Sequence, residues 1–281
     1  MANHRIYKVT SIGRPLEPEY PTNKAVLLLM PLAAMLGAVM AWLDGGGILQ
    51  LLQSAINFML ICFGSWALTR ELIPDDNPAA FISMTLALLA ALAFDSAGIL
   101  IVFATLGLVR MVNRSTGKPA LMSDSVIVML LVFWVIYSTQ SPLFAAVAAL
   151  AYVLDGALKN PLRRQWIFAL ICLGGMVVYM VDHEGGTGYF QAPDSLLVWL
   201  SIAVLLLLAL DMFLLKEVSS CGDTNDEKLN LPRVKGGMAI GILAAFQGLA
   251  HVETVIIIVT SVAGIGIGMA FRKAFQAPAS I

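Results

Sequence analysis

The sequence predicts an all-α, polytopic integral membrane protein of about ten transmembrane helices, and three observations carry that expectation. Of its 281 residues, 59% are hydrophobic and only 12% are charged, with a mean hydropathy of +0.85. Soluble domains carry about 25% charged residues, so most of this surface faces lipid. Apolar runs recur along the whole chain at lengths suited to a hydrocarbon core about 30 Å thick. Lysine and arginine fall at alternate run boundaries, which sorts them to one side of a membrane. The net charge of −1 says little, because sidedness outweighs the sum.

The expected spans are Ala25–Leu43, Ile48–Leu68, Ala79–Phe94, Ala97–Val109, Val126–Tyr137, Leu143–Leu154, Trp166–Val181, Leu196–Leu215, Met238–Ala250 and Val255–Phe271. Residues 1–24 form a polar N-terminal segment, and 25–273 a single transmembrane domain with one long polar loop at 217–235. Residues 274–281 are a tail. Val39-Met40-Ala41 could pass for a signal-peptidase site. The polar segment before it is long for a signal peptide, however, and the run is of spanning length, so the first span is read as uncleaved. Prolines 74, 78, 119, 142, 161 and 193 all fall at span boundaries, where proline starts or follows a helix without cost. The 217–235 loop reads as mobile.

Two runs, Ala79–Val109 and Gly236–Phe271, are too long for one span. As a single helix the first would extend about 46 Å, beyond the hydrocarbon core even when tilted. Each has polar residues near its middle, Asp95-Ser96 in one and His251-Val252-Glu253 in the other. A carboxylate at the bilayer centre is costly, whereas one in a turn is not. Both runs are therefore split. With ten spans and a cytoplasmic N-terminus, all 17 Lys and Arg face inward, and the outward turns keep only acids and histidines. Leaving either run intact would move several basic residues outside. Both termini are then cytoplasmic, and the expected location is a bacterial cytoplasmic membrane. Cutting at Gln140-Ser141-Pro142 leaves five spans on each side, the count of an inverted repeat.

Candidate chemistry centres on two polar knots, WALTRELIPDDNP (Trp66–Pro78) and RMVNRSTGKP (Arg110–Pro119). They flank the split run and so lie on one face. Arg70, Glu71, Asp75, Asp76, Arg110, Asn113 and Arg114 are the candidate substrate-binding residues. Guanidinium forks suit phosphate or carboxylate, and acids beside them could hold a cation bridging a diphosphate. Asp124, Asp155, Arg163, Arg164 and Asp211 fall near the same level. The simpler reading makes Asp76-Asn77 and Ser123-Asp124 helix caps and the arginines topogenic charges. No residue is assigned as catalytic, no metal site or cofactor is expected, and neither a phosphate loop nor an HExxH motif occurs.

Other features carry simpler expectations. Asp182-His183-Glu184 and His251-x-Glu253 fall outward and read as solvated turns. Gln247 suggests an interhelical hydrogen bond, and Asp211 a pairing near its span end. Gly237-x-x-x-Gly241 and Gly264-x-Gly266-x-Gly268 suggest close helix approach. Trp42, Trp66, Tyr137, Trp166 and Trp199 read as interfacial anchors. Cys62, Cys172 and Cys221 lack paired spacing, so no disulfide is expected.

Ten short spans, inward termini and about 280 residues resemble the hydropathy layout of drug/metabolite transporters, a likeness of layout and not of motif. The favoured expectation is a transporter or carrier of a small or lipid-linked solute. One alternative is a membrane-embedded enzyme acting on a phosphate-bearing lipid at the cytoplasmic face. The other is a non-catalytic subunit of a membrane complex. Expected partners are the lipid bilayer and an anionic or phosphate-bearing small molecule or lipid, with no nucleic acid. A homo-oligomer and a larger membrane complex both stay open.

Overall fold

A computed structural model describes residues 6–94, 98–183, 196–249 and 257–267. Among them the chain is all-helical, apart from one isolated antiparallel bridge between Cys221 and Lys228. A short 3-10 turn (Ile6–Lys8) leads to α1 (Pro21–Leu43), α2 (Ile48–Leu72), α3 (Asn77–Ala93), α4 (Ile99–Asn113) and α5 (Met122–Thr139). These are followed by α6 (Leu143–Ala157), α7 (Gln165–Asp182), α8 (Leu196–Leu214) and α9 (Leu231–Gly248), and then by α10 (Ile257–Ile267). A helix lies on each of the ten apolar segments expected from the sequence.

Helices α1, α2, α5 and α7 are long and apolar enough to cross a membrane, while α3, α4, α6 and the described parts of α8 and α10 are apolar but shorter. The surface is inverted relative to a soluble protein. Leu28, Val178 and Phe213 are 64%, 63% and 74% exposed, whereas Ser65, Ser83, Thr105 and Ser261 are buried. Large exposed apolar bands of this kind need lipid as their solvent, and the chain is an integral membrane protein.

Local signals explain where the helices begin and end. Asp76 accepts from the Ala79 amide at the start of α3, with Pro78 in the first turn. Asn230 does the same for Arg233 at α9, followed by Pro232. Both are N-caps that satisfy otherwise orphaned amides. Arg114 ends α4 in the left-handed region at φ 52°, and Gln140 breaks the chain between α5 and α6 at φ 53°. The Ala79–Val109 run is divided between α3 and α4, and the Gly236–Phe271 run between α9 and α10. The residues expected at those two turns, Asp95-Ser96 and His251 to Glu253, lie outside the described residues. Helix α9 begins at Leu231, a full seven residues before the expected Met238, because the Asn230–Pro232 cap starts it within the polar loop.

Helix α4 is the hub. It packs against α2, α5, α6 and α9, while α1 lies outside on α2, α7 on α6 and α8 on α9. Nearly all of α4 beyond its first turn is buried, so it need not match the bilayer thickness as a lipid-facing helix must. Glycines let α9 approach. A Cβ on Gly237 would collide with the Asn113 amide, and one on Gly241 would come within 2.6 Å of the Leu72 side chain. Gly264 of α10 sits directly against the Ser83 backbone of α3. Ser141 donates to Gln247 Oε1 where α9 meets the α5–α6 turn.

Overpacking a close contact costs about 1–3 kcal/mol. Gly241→Leu should therefore lower the thermal unfolding midpoint of the detergent-solubilised protein, while Gly174→Ala, with open space at its Cβ position, should not. Equal midpoints for the two variants would contradict this packing account.

Candidate functional site at the polar end of the bundle

The two polar knots touch. Glu71 is 2% exposed at the last turn of α2. Its Oε1 accepts from Arg110 Nε of α4 at 3.0 Å and from Arg14 Nη1 of the N-terminal segment at 3.0 Å. The Glu71 carbonyl takes a 2.6 Å bond from Asn113 Nδ2. Helix register explains the convergence: Arg110 and Asn113 are three residues apart and share one face of α4. Their side chains meet the C-terminal turn of α2, where orphan carbonyls want donors.

A second layer closes over this centre from outside. Arg14 also forms a two-bond fork on Asp223, Nε–Oδ2 at 2.7 Å and Nη2–Oδ1 at 2.6 Å. Burial opposes the Arg14 charge, but the Glu71 and Asp223 carboxylates outweigh it and raise the pKa of the guanidinium above its ordinary value. Tyr7 donates to Asp223 at 3.3 Å, and burial together with that carboxylate pushes the phenol up to about 12. Ser11 bonds Asp124 through its amide and hydroxyl, at 2.8 and 2.6 Å, and its carbonyl accepts from Thr116 Oγ1 at 2.5 Å. The N-terminal segment is thus strapped across the helix ends.

The polar loop after α8, expected to be mobile, is instead a folded cover. The Asp223 and Thr224 amides donate to the Ser115 and Thr116 carbonyls at 3.2 Å each. Asp75 accepts from the Ser219 amide, the Ser220 amide and Ser220 Oγ at 2.8, 2.8 and 2.6 Å. Gly117, at φ +82°, lets the α4–α5 turn pass directly under Asn225.

Under this cover lies a cavity of about 260 Å³ between α2, α4, the start of α1 and the N-terminal segment. One wall is charged, with Arg14, Arg110, Glu71 and Asp223. The other is a stripe of α2 formed by Phe63, Trp66, Ala67 and Arg70. Arg70 stands 5.4 Å over the Trp66 ring and donates from Nη1 to Thr22 Oγ1 at 3.0 Å. Among the described residues no carboxylate pairs with Arg70. Two buried donors on this stripe, Arg70 Nε and Trp66 Nε1, also have no hydrogen-bond partner among the described residues. Trp66, expected to be an interfacial anchor, is 5% exposed, because it is turned into the cavity wall rather than toward lipid. Trp42, Tyr137, Trp166 and Trp199 are exposed.

The seven candidate residues therefore divide. Arg70, Glu71 and Arg110 line the cavity, and Asn113 braces it from behind. Asp75 pins the loop and Asp76 caps α3, the role that its place before Asn77-Pro78 suggests. Arg114 belongs to a separate centre. There Asp155, fully buried, accepts from Arg114 Nε, Arg233 Nη1 and Gln165 Nε2, each at 2.9 Å. Arg233 also donates to the Val112 and Lys159 carbonyls at 2.8 and 2.7 Å, tying the ends of α4 and α6 together. A more open cavity of about 440 Å³ beside it has Arg114, Lys159, Lys228 and Arg233 in its wall. Arg14, Asp223, Arg233 and Trp66 were not among the candidates. Arg14, Asp223 and Arg233 fall on the basic side, but their ion-pair partners lie 57 to 209 residues away in the chain, whereas Trp66 stands one helical turn from Arg70 on the same stripe.

At the opposite end, His183 stacks on Tyr179 at 4.1 Å, with Nδ1 3.5 Å from Asp182. Glu184, His251 and Glu253 lie outside the described residues.

Removing one partner of a buried ion pair costs about 3–5 kcal/mol. Glu71→Ala, which strands Arg110 and leaves Arg14 only Asp223, should lower the unfolding midpoint far more than Asp75→Ala, whose carboxylate holds only the exposed loop. A Glu71→Ala protein as stable as the parent would remove Glu71 from the centre of the fold. Comparison with protein-family models, curated proteins and solved structures finds no match to this chain.

Proposed function

We propose that this membrane protein is a carrier for a small or lipid-linked anionic solute, bound in the cavity at Arg70. One observation carries the reading: Arg70 and Trp66 line the cavity, no carboxylate pairs with Arg70, and each residue carries a buried N–H donor, Nε and Nε1, with no partner among the described residues. A buried donor left unmade costs about 1–3 kcal/mol, and more when charged. A ligand oxyanion at Arg70 would supply the missing partner. Glu71, the most buried acid of the wall, is held by two guanidiniums and so is a poor general base. That favours binding over acid–base chemistry on a phosphate-bearing lipid.

The proposed topology has ten crossings with both termini and the site on the cytoplasmic side of a bacterial cytoplasmic membrane, in keeping with the positive-inside distribution. A five-plus-five inverted repeat belongs to the same proposal. Helices α4 and α9, equivalent under a five-helix shift, pack face to face, and the equivalent pairs α1·α2 and α6·α7 are both closely packed. The α2·α4 contact has no equally close α7·α9 counterpart.

Two measurements test these readings. Cys62 and Cys172 are buried and Cys221 is exposed, so a membrane-impermeant maleimide should label Cys221 in inside-out vesicles and not in intact cells. Labelling from outside would overturn the orientation. In proteoliposomes, the protein should move either a fluorescent acidic lipid or entrapped glycerol phosphate. Arg70→Gln should slow that movement about ten- to a hundredfold, the worth of one charged hydrogen bond. Movement of neither probe, or rates untouched by the substitution, would overturn the carrier reading.

A further inference from the structure

The geometry points to an amphiphile as the ligand of this cavity: a lipid with a single anionic oxyanion on its head group, its chain lying along α2. The inference rests on the carrier reading above and adds what kind of solute is carried. Phe63, Trp66, Ala67 and Arg70 sit at i, i+3, i+4 and i+7, so they form one continuous stripe on the helix. From Phe63 to Arg70 the stripe rises about 10 Å, from aromatic at its deep end to cationic at the polar end. Helix α2 ends among the charged groups at Leu72 and runs back from them into the apolar bundle. Phe63 therefore lies at bilayer depth when Arg70 lies at head-group level. A soluble phosphate would use only the upper turn of this wall, whereas an amphiphile uses all of it.

The charge pattern limits the head group. Arg14 and Arg110 are engaged by Glu71, and Arg14 again by Asp223. Glu17, the third acid of the wall, makes no ion pair among the described residues. Of the three arginines of the wall, Arg14 and Arg110 are bound by carboxylates, which leaves Arg70 as the guanidinium with no carboxylate on it among the described residues. One negative charge matches it, as on a lipid phosphodiester or a fatty carboxylate. The Arg70 guanidinium then makes charge-assisted hydrogen bonds to that group, the kind of contact in which arginine binds oxyanions best. Trp66 also presents its ring to the first methylenes of the chain. The stripe adjoins α1, whose outer face is lipid-exposed at Leu28, Leu32 and Met35, so a lipid has a short path from the bilayer.

Full-length protein in phosphatidylcholine nanodiscs provides the test, with bound ligand counted by native mass spectrometry. The probes are lysophosphatidylglycerol and oleate as anionic amphiphiles, lysophosphatidylcholine as the zwitterionic control, and glycerol phosphate as a head group without a chain. At least one anionic amphiphile should bind at one per protein, about tenfold or more tighter than lysophosphatidylcholine. Its affinity should climb with chain length up to a limit of roughly fourfold per buried methylene. Arg70→Gln should erase the preference for charge, and Phe63→Ala should flatten the chain-length dependence while leaving the charge preference. The probe that binds, lysolipid or oleate, identifies the source of the oxyanion. Glycerol phosphate binding as tightly as the lysolipid would overturn the lipid inference and leave the carrier reading standing. If no anion binds, and Arg70→Gln changes nothing in variants of parental stability, both fall.

Discussion

The carboxylate of Glu71 is the point on which the polar end of this protein depends. It is buried at the last turn of α2, and an ionised group there is tolerable only because Arg14 and Arg110 reach it from two other segments. That requirement fixes the rotation of α2 against the hub helix α4 and draws the N-terminal segment across the helix ends. Asp155 performs the matching task between α4, α6 and α9, holding Arg114 and Arg233. The two carboxylates lie on either side of the C-terminus of α4, and each collects arginines from elements distant in sequence. Apolar contacts alone, in a lipid solvent as apolar as the side chains, would leave helix rotation weakly specified. Buried charge supplies the specificity.

Most of the helical layout was legible in the chain itself. The two overlong runs are each divided between helices, as the polar residues at their middles require, and the caps at Asp76 and the glycine contacts of α9 match their local signals. Local chemistry acts over a few residues, and it is readable for that reason. The polar loop after α8 was misread because its composition resembles a linker. Its order comes from the Ser115 and Thr116 carbonyls and from Asp75, partners that no local pattern discloses.

The candidate site was legible in part for the same reason. Arg70, Glu71, Arg110 and Asn113 stand on α2 and α4, between which the chain makes one excursion through α3, so topology alone returns both pairs to the same end of the bundle. Arg114 is one residue beyond Asn113, yet the left-handed turn at its own position points it to Asp155 instead. Arg14 and Asp223 enter from the two longest non-helical stretches among the described residues. Trp66 was assigned to the lipid interface because tryptophans near span ends usually sit there. Its burial follows from being on the same helical stripe as Arg70, a periodicity that the sequence does carry.

The Arg14–Asp223 fork joins residues 209 positions apart in the chain. During synthesis at about 5–20 residues per second, the N-terminal segment emerges roughly 10–40 s before its partner exists. Once Glu71 and Arg110 have followed, Arg14 has them for company but no cover above it until Asp223 is made. The loop after α8 therefore arrives as a clasp over a polar end already built, and the cavity stays uncovered until that loop has been made.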